Sequence, residues 1–552
     1  MFQLPTTKLK VFVGLIISVL VLVMLRYIDF IDFQLSTFSG RMANEPSYRI
    51  IGNQSLDTLK RVDILQKVPE YMEITTLGNL KTVANAKNSY IEIRNKKTQY
   101  HIGDTIEIYV QLRDSRNEAI TKGGDVLRIW MTEKSLNAST GGYVIDFNNG
   151  SFLGIVKALW VGSPKITIAI GCTKEHIGLY LNFLEKYGTY FFVIGIFEKE
   201  NHPGNAETQC TSIPNSQLFT GKVCNFTAEN YNMSFYCEKP KGYECKDWTK
   251  FRYFNEQPSV DKATSVFFST NVYTKIKEVT VKIGEDFLRR RKVLSPVKTC
   301  SDFQASETWN RSVPVGYMYD NKWISLQCSI DFPRTTQAYT RCLTKIPLIY
   351  IGDSTTRIFF VNMMNFLSLK LDTPEVKDMK EKSWQRPVRA SSQDGEITIE
   401  WMPHEHPFAS SGFRRNLRSV SARLSEIGSN RDVIILIHWY LHPARYLSPE
   451  LYRHHVKNAV VAIKSLLQRS PNAKILIKGP HSHTYARTLV PYDFVAKSME
   501  QVIYEEFKDI HNSVYYVDYW DITLGTENVN AHPPDYVNNI MIHNFLSFVC
   551  NT

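Results

Sequence analysis

The sequence lacks several signatures that would place it in a common functional class. None of its nine cysteines forms a Cys-x-x-Cys pair, so they do not indicate zinc or thiol-redox chemistry. It has no HExxH motif. Its net charge of +11 is spread along the chain without a long Lys/Arg block, which argues against a nucleic-acid partner. What remains is a mildly basic chain of 552 residues, long enough for more than one domain.

An apolar run at residues 11–25 follows Lys8 and Lys10, and no small-x-small cleavage site comes after it. The run therefore predicts an uncleaved, type II membrane anchor within residues 1–30, with a short cytosolic amino end. If the segment is cleaved instead, the chain is secreted. Residues 31–87 show no sustained periodicity and are interpreted as a stem.

Two features place the rest of the chain in the secretory pathway, in the Golgi lumen or outside the cell. An odd number of irregularly spaced cysteines predicts disulfides plus one thiol that is free or paired between chains, with the pairing left open. Glycosylation sequons occur only in the first part of the chain. They begin at Asn53, Asn137, Asn149, Asn225, Asn232 and Asn310.

Residues 88–255 carry short alternating runs such as 105–112 and 126–131, separated by turn signals. This pattern predicts an antiparallel, immunoglobulin-like β-sandwich with a Cys-rich extension. No titratable cluster stands out in it, so we interpret it as a binding or supporting domain, with a cell-surface protein as its candidate partner. Residues 256–299 are interpreted as a linker.

Residues 300–552 alternate between buried-strand and helical patterns. Apolar runs at 348–351, 397–401, 433–437, 475–477 and 514–517 are separated by segments with helical spacing. This alternation predicts a mainly parallel sheet covered by helices on both faces, a three-layer α/β domain. Ligands of such sheets bind at the carboxyl ends of the strands.

The first of these strands leads directly into Gly352, Asp353 and Ser354. Ser354 would lie at the amino end of a helix, where a base could make it a nucleophile. The alternative interpretation is a turn with an ordinary helix cap. His532 follows the last strand, and Pro533 fixes the chain beside it, so this histidine is the candidate base.

Other histidines also follow the strands. His404 and His406, like His481 and His483, have a spacing that metal ligands use. Because no Cys-rich partner or HExxH helix accompanies them, the sequence predicts no metal site. Most of these histidines are interpreted as loop and core residues.

The segment 348–357, with Cys342 before it, resembles the opening of a PC-esterase domain, a branch of the GDSL/SGNH hydrolases. Residues 518–523 and 530–534 and the terminal Cys550 are similar to its closing motifs. Upstream, 123–128 and 146–151 resemble the neurexophilin sandwich. Together they identify the chain as a suspected member of the neurexophilin and PC-esterase domain (NXPE) family over residues 85–552.

The resemblance implies a sugar O-acetyl esterase or O-acetyltransferase, because relatives acetylate sialic acid or plant cell-wall glycans. Ser354 would take the acyl group and His532 would activate it. Gly352, Asp353 and Arg357 would support the turn. Donors for the oxyanion would be the Ser354 N–H and groups at the second and third strand ends, with His438 and Trp439 as the candidates there.

The sequence departs from the family pattern at Val529, where an Asp usually precedes the catalytic histidine by three residues. Candidates to replace that carboxylate are Asn528, Asn530, Asp518 and Asp521, although Asn supplies no charge.

Two hypotheses follow. The first is a lumenal serine-dependent enzyme that acts on a glycan or glycoprotein and has no bound cofactor. If it is a transferase, acetyl-CoA is the natural acyl donor, although the sequence contains no motif for binding acetyl-CoA. The second is a secreted or surface neurexophilin-like ligand whose esterase domain is inactive.

Overall fold

A computed structural model describes residues 63–200, 203–254, 256, 260, 262–270, 274–285, 296, 298–310, 313–372, 386–404, 406–408, 410–484 and 490–550. The predicted anchor at 1–30 and the first half of the predicted stem lie outside these residues. Among the helices that the structure does describe, none combines the length and the apolar character that crossing a bilayer requires.

Twenty-five strands and ten α-helices are present in the described residues. The strands are β1 Tyr90–Ile93, β2 Tyr100–His101, β3 Thr105–Gln111, β4 Val126–Glu133, β5 Ala138–Gly141, β6 Tyr143–Asp146, β7 Ser151–Lys157, β8 Lys165–Cys172, β9 Val193–Glu198, β10 Asn205–Thr211, β11 Val223–Asn225, β12 Tyr236–Glu238, β13 Trp248–Tyr253, β14 Thr274–Thr280, β15 Ile283–Gly284, β16 Gly316–Tyr319, β17 Lys322–Ser325, β18 Leu348–Gly352, β19 Lys370–Leu371, β20 Val388–Ser391, β21 Thr398–Pro403, β22 Gly412–Phe413, β23 Ile434–Ile437, β24 Lys474–Lys478 and β25 Val514–Val517. The helices are α1 Val68–Met72, α2 Lys174–Tyr187, α3 Lys262–Thr270, α4 Thr336–Leu343, α5 Ser354–Phe366, α6 Val420–Glu426, α7 Pro449–Arg469, α8 Tyr492–Glu506, α9 Trp520–Gly525 and α10 Asp535–Leu546.

The predicted β-sandwich is present. One sheet has the order β1-β3-β7-β6 and the facing sheet the order β14-β8-β4-β5-β16-β17. Apolar side chains that alternate along the strands, such as Ile106 and Ile108 of β3 and Ile129 of β4, pack into one core between the sheets. This second sheet extends beyond the predicted bounds at both edges. At one edge β14 comes from the segment 256–299, which is therefore not a simple linker. At the other edge the hairpin β16–β17 comes from residues beyond 300 and reaches β5 through Met318 and Ser139.

Residues 63–87, which the sequence assigns to the stem, pack against the body instead. Ile64 and Tyr71 are buried, and the Tyr71 hydroxyl donates to the Gly124 carbonyl at 2.8 Å. Asp63 accepts a hydrogen bond of 2.7 Å from Gln501 of α8. The stem prediction failed here because two apolar side chains at helical spacing are too few to stand out in a polar segment.

Four disulfides account for eight of the nine cysteines. Two of them, Cys210–Cys237 and Cys224–Cys245, staple the predicted Cys-rich extension. There the strands form a third sheet, β11-β12-β10-β9-β13-β22. The other two are Cys300–Cys328 and Cys342–Cys550, and the last closes a loop of 208 residues around the α/β sheet. The asparagines of the five sequons that the structure describes are exposed, while Asn53 lies outside the described residues.

The ninth cysteine, Cys172, is buried and free. Because burial raises the pKa of its thiol, it carries little thiolate at neutral pH. We expect native protein to show almost no reaction with a thiol reagent, and denatured, unreduced protein to show about one thiol per chain. Titration with a chromogenic disulfide reagent checks this, with Cys172→Ala reading zero in both states. Two or more thiols after denaturation would contradict the four-disulfide pattern.

The predicted α/β domain is centred on a seven-stranded sheet with the order β19-β20-β21-β18-β23-β24-β25. The five strands predicted from apolar runs are its parallel strands. The two remaining strands, β19 and β20, extend one side of the sheet through antiparallel pairing and were not predicted. Both are short or only half apolar, so neither produces a run of buried-strand character.

Helices cover both faces of this sheet, as the alternation predicts. Ile349 and Ile435 lie in one core with α6, α7 and α8. Tyr350 and Leu436, one residue further along each strand, lie in a second core with α4, α5 and α10. Successive side chains of a strand point to opposite faces, which explains why these strands are apolar at every position. The first core continues into the sandwich and its extension through residues such as Val126 and Trp248.

Candidate active site

Ser354 lies where the order of the parallel strands reverses. From β18 the chain passes to β21 on one side and then to β23 on the other side. This reversal opens a crevice at the carboxyl end of β18, the place where open α/β sheets bind ligands. Ser354 is the first residue of α5, so its N–H is among those that find no carbonyl partner within the helix.

The turn into α5 requires glycine at position 352. Gly352 has φ +155°, and a Cβ there would lie 2.4 Å from the carbonyl oxygen of His438. Any side chain would therefore push β18 and the loop after β23 apart. Asp353 caps the helix, because its Oδ1 accepts from the Thr355 N–H at 2.8 Å and from the Thr355 hydroxyl at 2.7 Å.

The structure brings Ser354 and His532 together. Ser354 Oγ and His532 Nε2 are 2.6 Å apart, which is hydrogen-bond distance for a hydroxyl and a neutral imidazole. The two residues are 178 positions apart in the chain. Ser354 is 5% exposed, whereas His532 stays accessible on its loop between α9 and α10. A serine in contact with a base and next to open helix N–H groups is the arrangement of an activated nucleophile.

Two side chains, those of Asn528 and His481, hold the loop that carries His532. This role was not predicted from the sequence. Asn528 donates from Nδ2 to the carbonyls of Ser482 and Asn530, each at 2.8 Å. His481 Nε2 lies 2.8 Å from the carbonyl oxygen of Ala531. Asn528 therefore contacts the backbone beside His532 and not its ring.

No carboxylate of the described residues hydrogen-bonds to Nδ1 of His532. Asp518 accepts from the Trp520 N–H at 2.8 Å, at the start of α9. Asp521 accepts from the Val315 N–H at 2.8 Å. Asn530 is exposed. Val529 is 57% exposed, so its side chain leaves the site altogether. The sequence could not show that one carboxylate oxygen of Asp518 and one of Asp521 accept from backbone N–H groups.

Asp353 is a buried acidic residue inside the site, and its charge affects the neighbouring histidines. It is 1% exposed, and its Oδ2 has no hydrogen-bond partner in the part of the chain that the structure describes. Burial by itself raises the pKa of this carboxyl, but nearby His438, His442 and His404 outweigh it and bring the pKa below its usual value. Arg357 lies over the Trp401 ring at 5.9 Å, one turn along α5.

His438 is fully buried, and both of its ring nitrogens contact Lys478. Its Nδ1 lies 2.9 Å from the Lys478 carbonyl oxygen and its Nε2 lies 3.4 Å from Lys478 Nζ. Both ring nitrogens are thus engaged, which leaves no ring donor for an oxyanion. Trp439 is 5% exposed, next in the same loop. Lys478 was not predicted as a site residue, although a lysine at the end of the apolar strand β24 indicates a buried amine. Burial lowers the pKa of this amine to about 7.

The pKa of His532 predicts the acid limit of any Ser354-dependent reaction. Burial lowers this pKa below 6.5, and the nearby charge of Asp353 offsets only part of the effect. Only the neutral ring accepts the serine proton, and a lowered pKa keeps the ring neutral to lower pH. The rate should therefore be constant at neutral pH and fall only as the pH drops through a midpoint below 6.5. A rate profile from about pH 4 to about pH 8 measures this midpoint; a midpoint above the usual histidine value would contradict it.

Fold and site together define a three-layer α/β domain with a serine–histidine pair at its topological switch point. Residues 323–550 match the family model described as NXPE family member 4-like, C-terminal domain. This match over the C-terminal domain supports the NXPE family membership that the motifs predicted.

Solved structures of other proteins also show similarity to this chain. An active site mutant of a family two carbohydrate esterase from Clostridium thermocellum is 8% identical, with 84% of this chain and 95% of that chain covered, at a TM-score of 0.22. That esterase in complex with cellohexaose is 8% identical, with 83% and 97% covered, at a TM-score of 0.20. Invasin, a bacterial integrin-binding protein, is 9% identical, with 59% and 60% covered, at a TM-score of 0.13. At these TM-scores the likeness supports no inference about fold or function.

Proposed function

We propose that this protein is a carbohydrate O-acetyl esterase or O-acetyltransferase that uses Ser354 as its nucleophile and His532 as its base. The observation that carries the proposal is the contact of 2.6 Å between Ser354 Oγ and His532 Nε2 at the carboxyl end of β18. The substrate class, acetylated or free hydroxyls of glycans including sialic acid, rests on membership of the NXPE family.

The proposed reaction has two half-steps. Ser354 Oγ attacks the carbonyl carbon of the acetyl donor while its proton passes to His532 Nε2, which gives a tetrahedral oxyanion near the open N–H groups of α5. The bond from that carbon to the leaving group breaks, the leaving group takes the proton, and acetyl-Ser354 remains. Water or a sugar hydroxyl then attacks the carbonyl carbon of acetyl-Ser354 and takes the acetyl group. The proton of the attacking hydroxyl passes through His532 to Ser354 Oγ. Water makes the protein an esterase, and a sugar hydroxyl makes it a transferase, with acetyl-CoA as the proposed donor.

The test is acylation of Ser354 in the purified full chain. A fluorophosphonate probe should label the wild type at Ser354, as read by peptide mass spectrometry, and should not label Ser354→Ala. Ser498→Ala is the matched control, because Ser498 is equally buried in α8 and its hydroxyl bonds only the Val495 carbonyl. Labelling equal in wild type and Ser354→Ala would overturn the proposal.

A cellular measurement separates the two directions of transfer. Sialic acid O-acetylation is compared in cells expressing the wild type and Ser354→Ala. A Ser354-dependent gain makes the protein a transferase, and a Ser354-dependent loss makes it an esterase. These activities would take place in the secretory pathway, which fits the four disulfides.

The second candidate function is a neurexophilin-like ligand with an inactive esterase domain. The observation in its favour is the ring of His532, whose Nδ1 meets no carboxylate of the described residues, with Val529 turned to solvent. In this case the β-sandwich would bind a cell-surface protein. A folded wild type that no serine probe labels would support this function and exclude the first.

A further inference from the structure

Three histidines converge beside the serine–histidine pair, outside the contacts used above. His404 and His406 lie directly after β21, and His442 lies after β23. A ligand nitrogen from each of the three lies within 4.8 Å of one from each of the others. In the sequence, the pair at 404 and 406 has no evident partner, because the third histidine comes from a different strand end.

The spacing of the three rings matches one tetrahedral metal ion. Ring centroids are 5.2 Å apart for His404 and His406, 5.3 Å for His404 and His442, and 5.7 Å for His406 and His442. Around one zinc ion with Zn–N bonds of about 2.0–2.1 Å, three imidazole centroids lie roughly 5 Å apart. Neighbouring ligand nitrogens then lie roughly 3.3 Å apart, and His404 Nε2 and His442 Nδ1 are separated by 3.2 Å.

An all-protein hydrogen-bond network does not account for the cluster. His404 and His442 can share one hydrogen bond, but neither ring nitrogen of His406 has a partner in the described structure, although this residue is only 3% exposed. A buried imidazole without partners loses its bonds to water and gains none in return. Coordination of one nitrogen to a metal would compensate this loss.

The charge around the cluster also favours a cation. Asp353, one residue before Ser354, is buried, and its Oδ2 has no hydrogen-bond partner among the described residues. A buried carboxylate needs a positive partner. Neutral imidazoles are the form that binds metal.

We propose that His404, His406 and His442 bind one Zn²⁺ ion at the carboxyl edge of the α/β sheet. Imidazole ligands suit zinc, and three protein ligands leave the fourth tetrahedral position for a water or a substrate oxygen. His404 and His406 also line a pocket with Trp439 and Tyr446, so that position can be reached by a small oxygen ligand. The ion would tie the loop after β21 to the loop after β23, on either side of Ser354.

The test measures metal content and does not depend on activity or on the proposed function. The full chain is purified with a histidine-free tag, dialysed without chelator and analysed by plasma mass spectrometry. We expect about one zinc per chain in the wild type, and at least a tenfold decrease in His406→Gln and in His442→Gln. His483→Gln is the matched control, because His483 belongs to the other His-x-His pair and is also 3% exposed with both nitrogens unpartnered; it should keep its zinc.

A second measurement needs no variant that could misfold. Folded wild type is stripped with a chelator and titrated with Co²⁺, which should give the strong visible absorption of a tetrahedral site, saturating at about one equivalent. Folded wild type without zinc and without this absorption would overturn the proposal. Zinc lost equally from His483→Gln would overturn the choice of ligands, and one equivalent of copper or iron in place of zinc would overturn the choice of metal.

Discussion

Ser354→Ala, His532→Ala and the double variant are expected to lose acyl transfer to the same residual level. Each single change should lower kcat by about 10⁴-fold or more, and the double change should lower it no further. The reason is the contact of 2.6 Å between Oγ and Nε2, which makes the two groups one unit. Without the base the hydroxyl stays protonated, and without the hydroxyl the base has nothing to activate.

Release of acetate from an activated ester or an acetylated sugar measures this non-additivity. The matched control for the histidine is His454→Ala, because His454 lies on α7 and is exposed to solvent. Losses that multiply in the double variant would mean that Ser354 and His532 act independently, which contradicts a shared proton transfer. Full activity in either single variant would exclude that residue from the chemistry.

The missing carboxylate at Nδ1 of His532 sets an upper limit on the rate. In a complete triad the carboxylate holds the imidazole tautomer and stabilises its cation. Here the His481 contact with the Ala531 carbonyl supports the loop, and Asp353 supplies negative charge near the ring. These interactions hold the loop and partly offset the cost of charging the ring, but they do not select its tautomer. Catalysis by this pair is therefore expected to be slower than that of a complete triad.

The parts of the fold that were predicted correctly are those encoded by local patterns. The run around Ile435 is apolar at every position because both faces of that strand are covered, and such runs can be found without any alignment. The hairpin β16–β17 could not be placed, since its pairing with β5 joins Met318 to Ser139 across the chain. Pairing over such a distance leaves no local signal.

In the candidate site, as in the fold, residues marked by a local sequence pattern were predicted, whereas contacts between distant residues were not. Ser354 could be identified because a turn after a buried strand fixes its position, and His532 because a polar loop follows the last strand. The environment of each group could not be inferred. Asp521 is a carboxylate close to His532 along the chain, yet its Oδ2 accepts from the Val315 N–H. Lys478 and the third histidine, His442, become relevant only when neighbouring strand ends lie side by side.

Asp493→Asn is expected to destabilise the protein by about 3–5 kcal/mol, because it leaves Arg128 without its counter-charge in the interior. The side chains of Arg128 and Asp493 are 4% and 2% exposed, and Nε and Nη2 of Arg128 each bond one carboxylate oxygen. Nη2 also donates to the His483 carbonyl at 2.7 Å. Arg128 belongs to β4 of the sandwich and Asp493 to α8 of the α/β domain, so the pair joins the two.

Chemical denaturation measures the change in the free energy of unfolding. Glu207→Gln is the matched control: it breaks the pair of Arg252 and Glu207, which are 45% and 39% exposed, and should cost less than about 1 kcal/mol. Replacing both buried partners, as Arg128→Met with Asp493→Leu, removes the stranded charge and should recover most of the loss. A cost for Asp493→Asn no larger than that of the control would mean that water reaches Arg128. This ion pair would then not contribute to the association of the sandwich with the α/β domain, which would depend on their shared apolar core and on other hydrogen bonds such as that of Tyr180 to the Ala444 carbonyl.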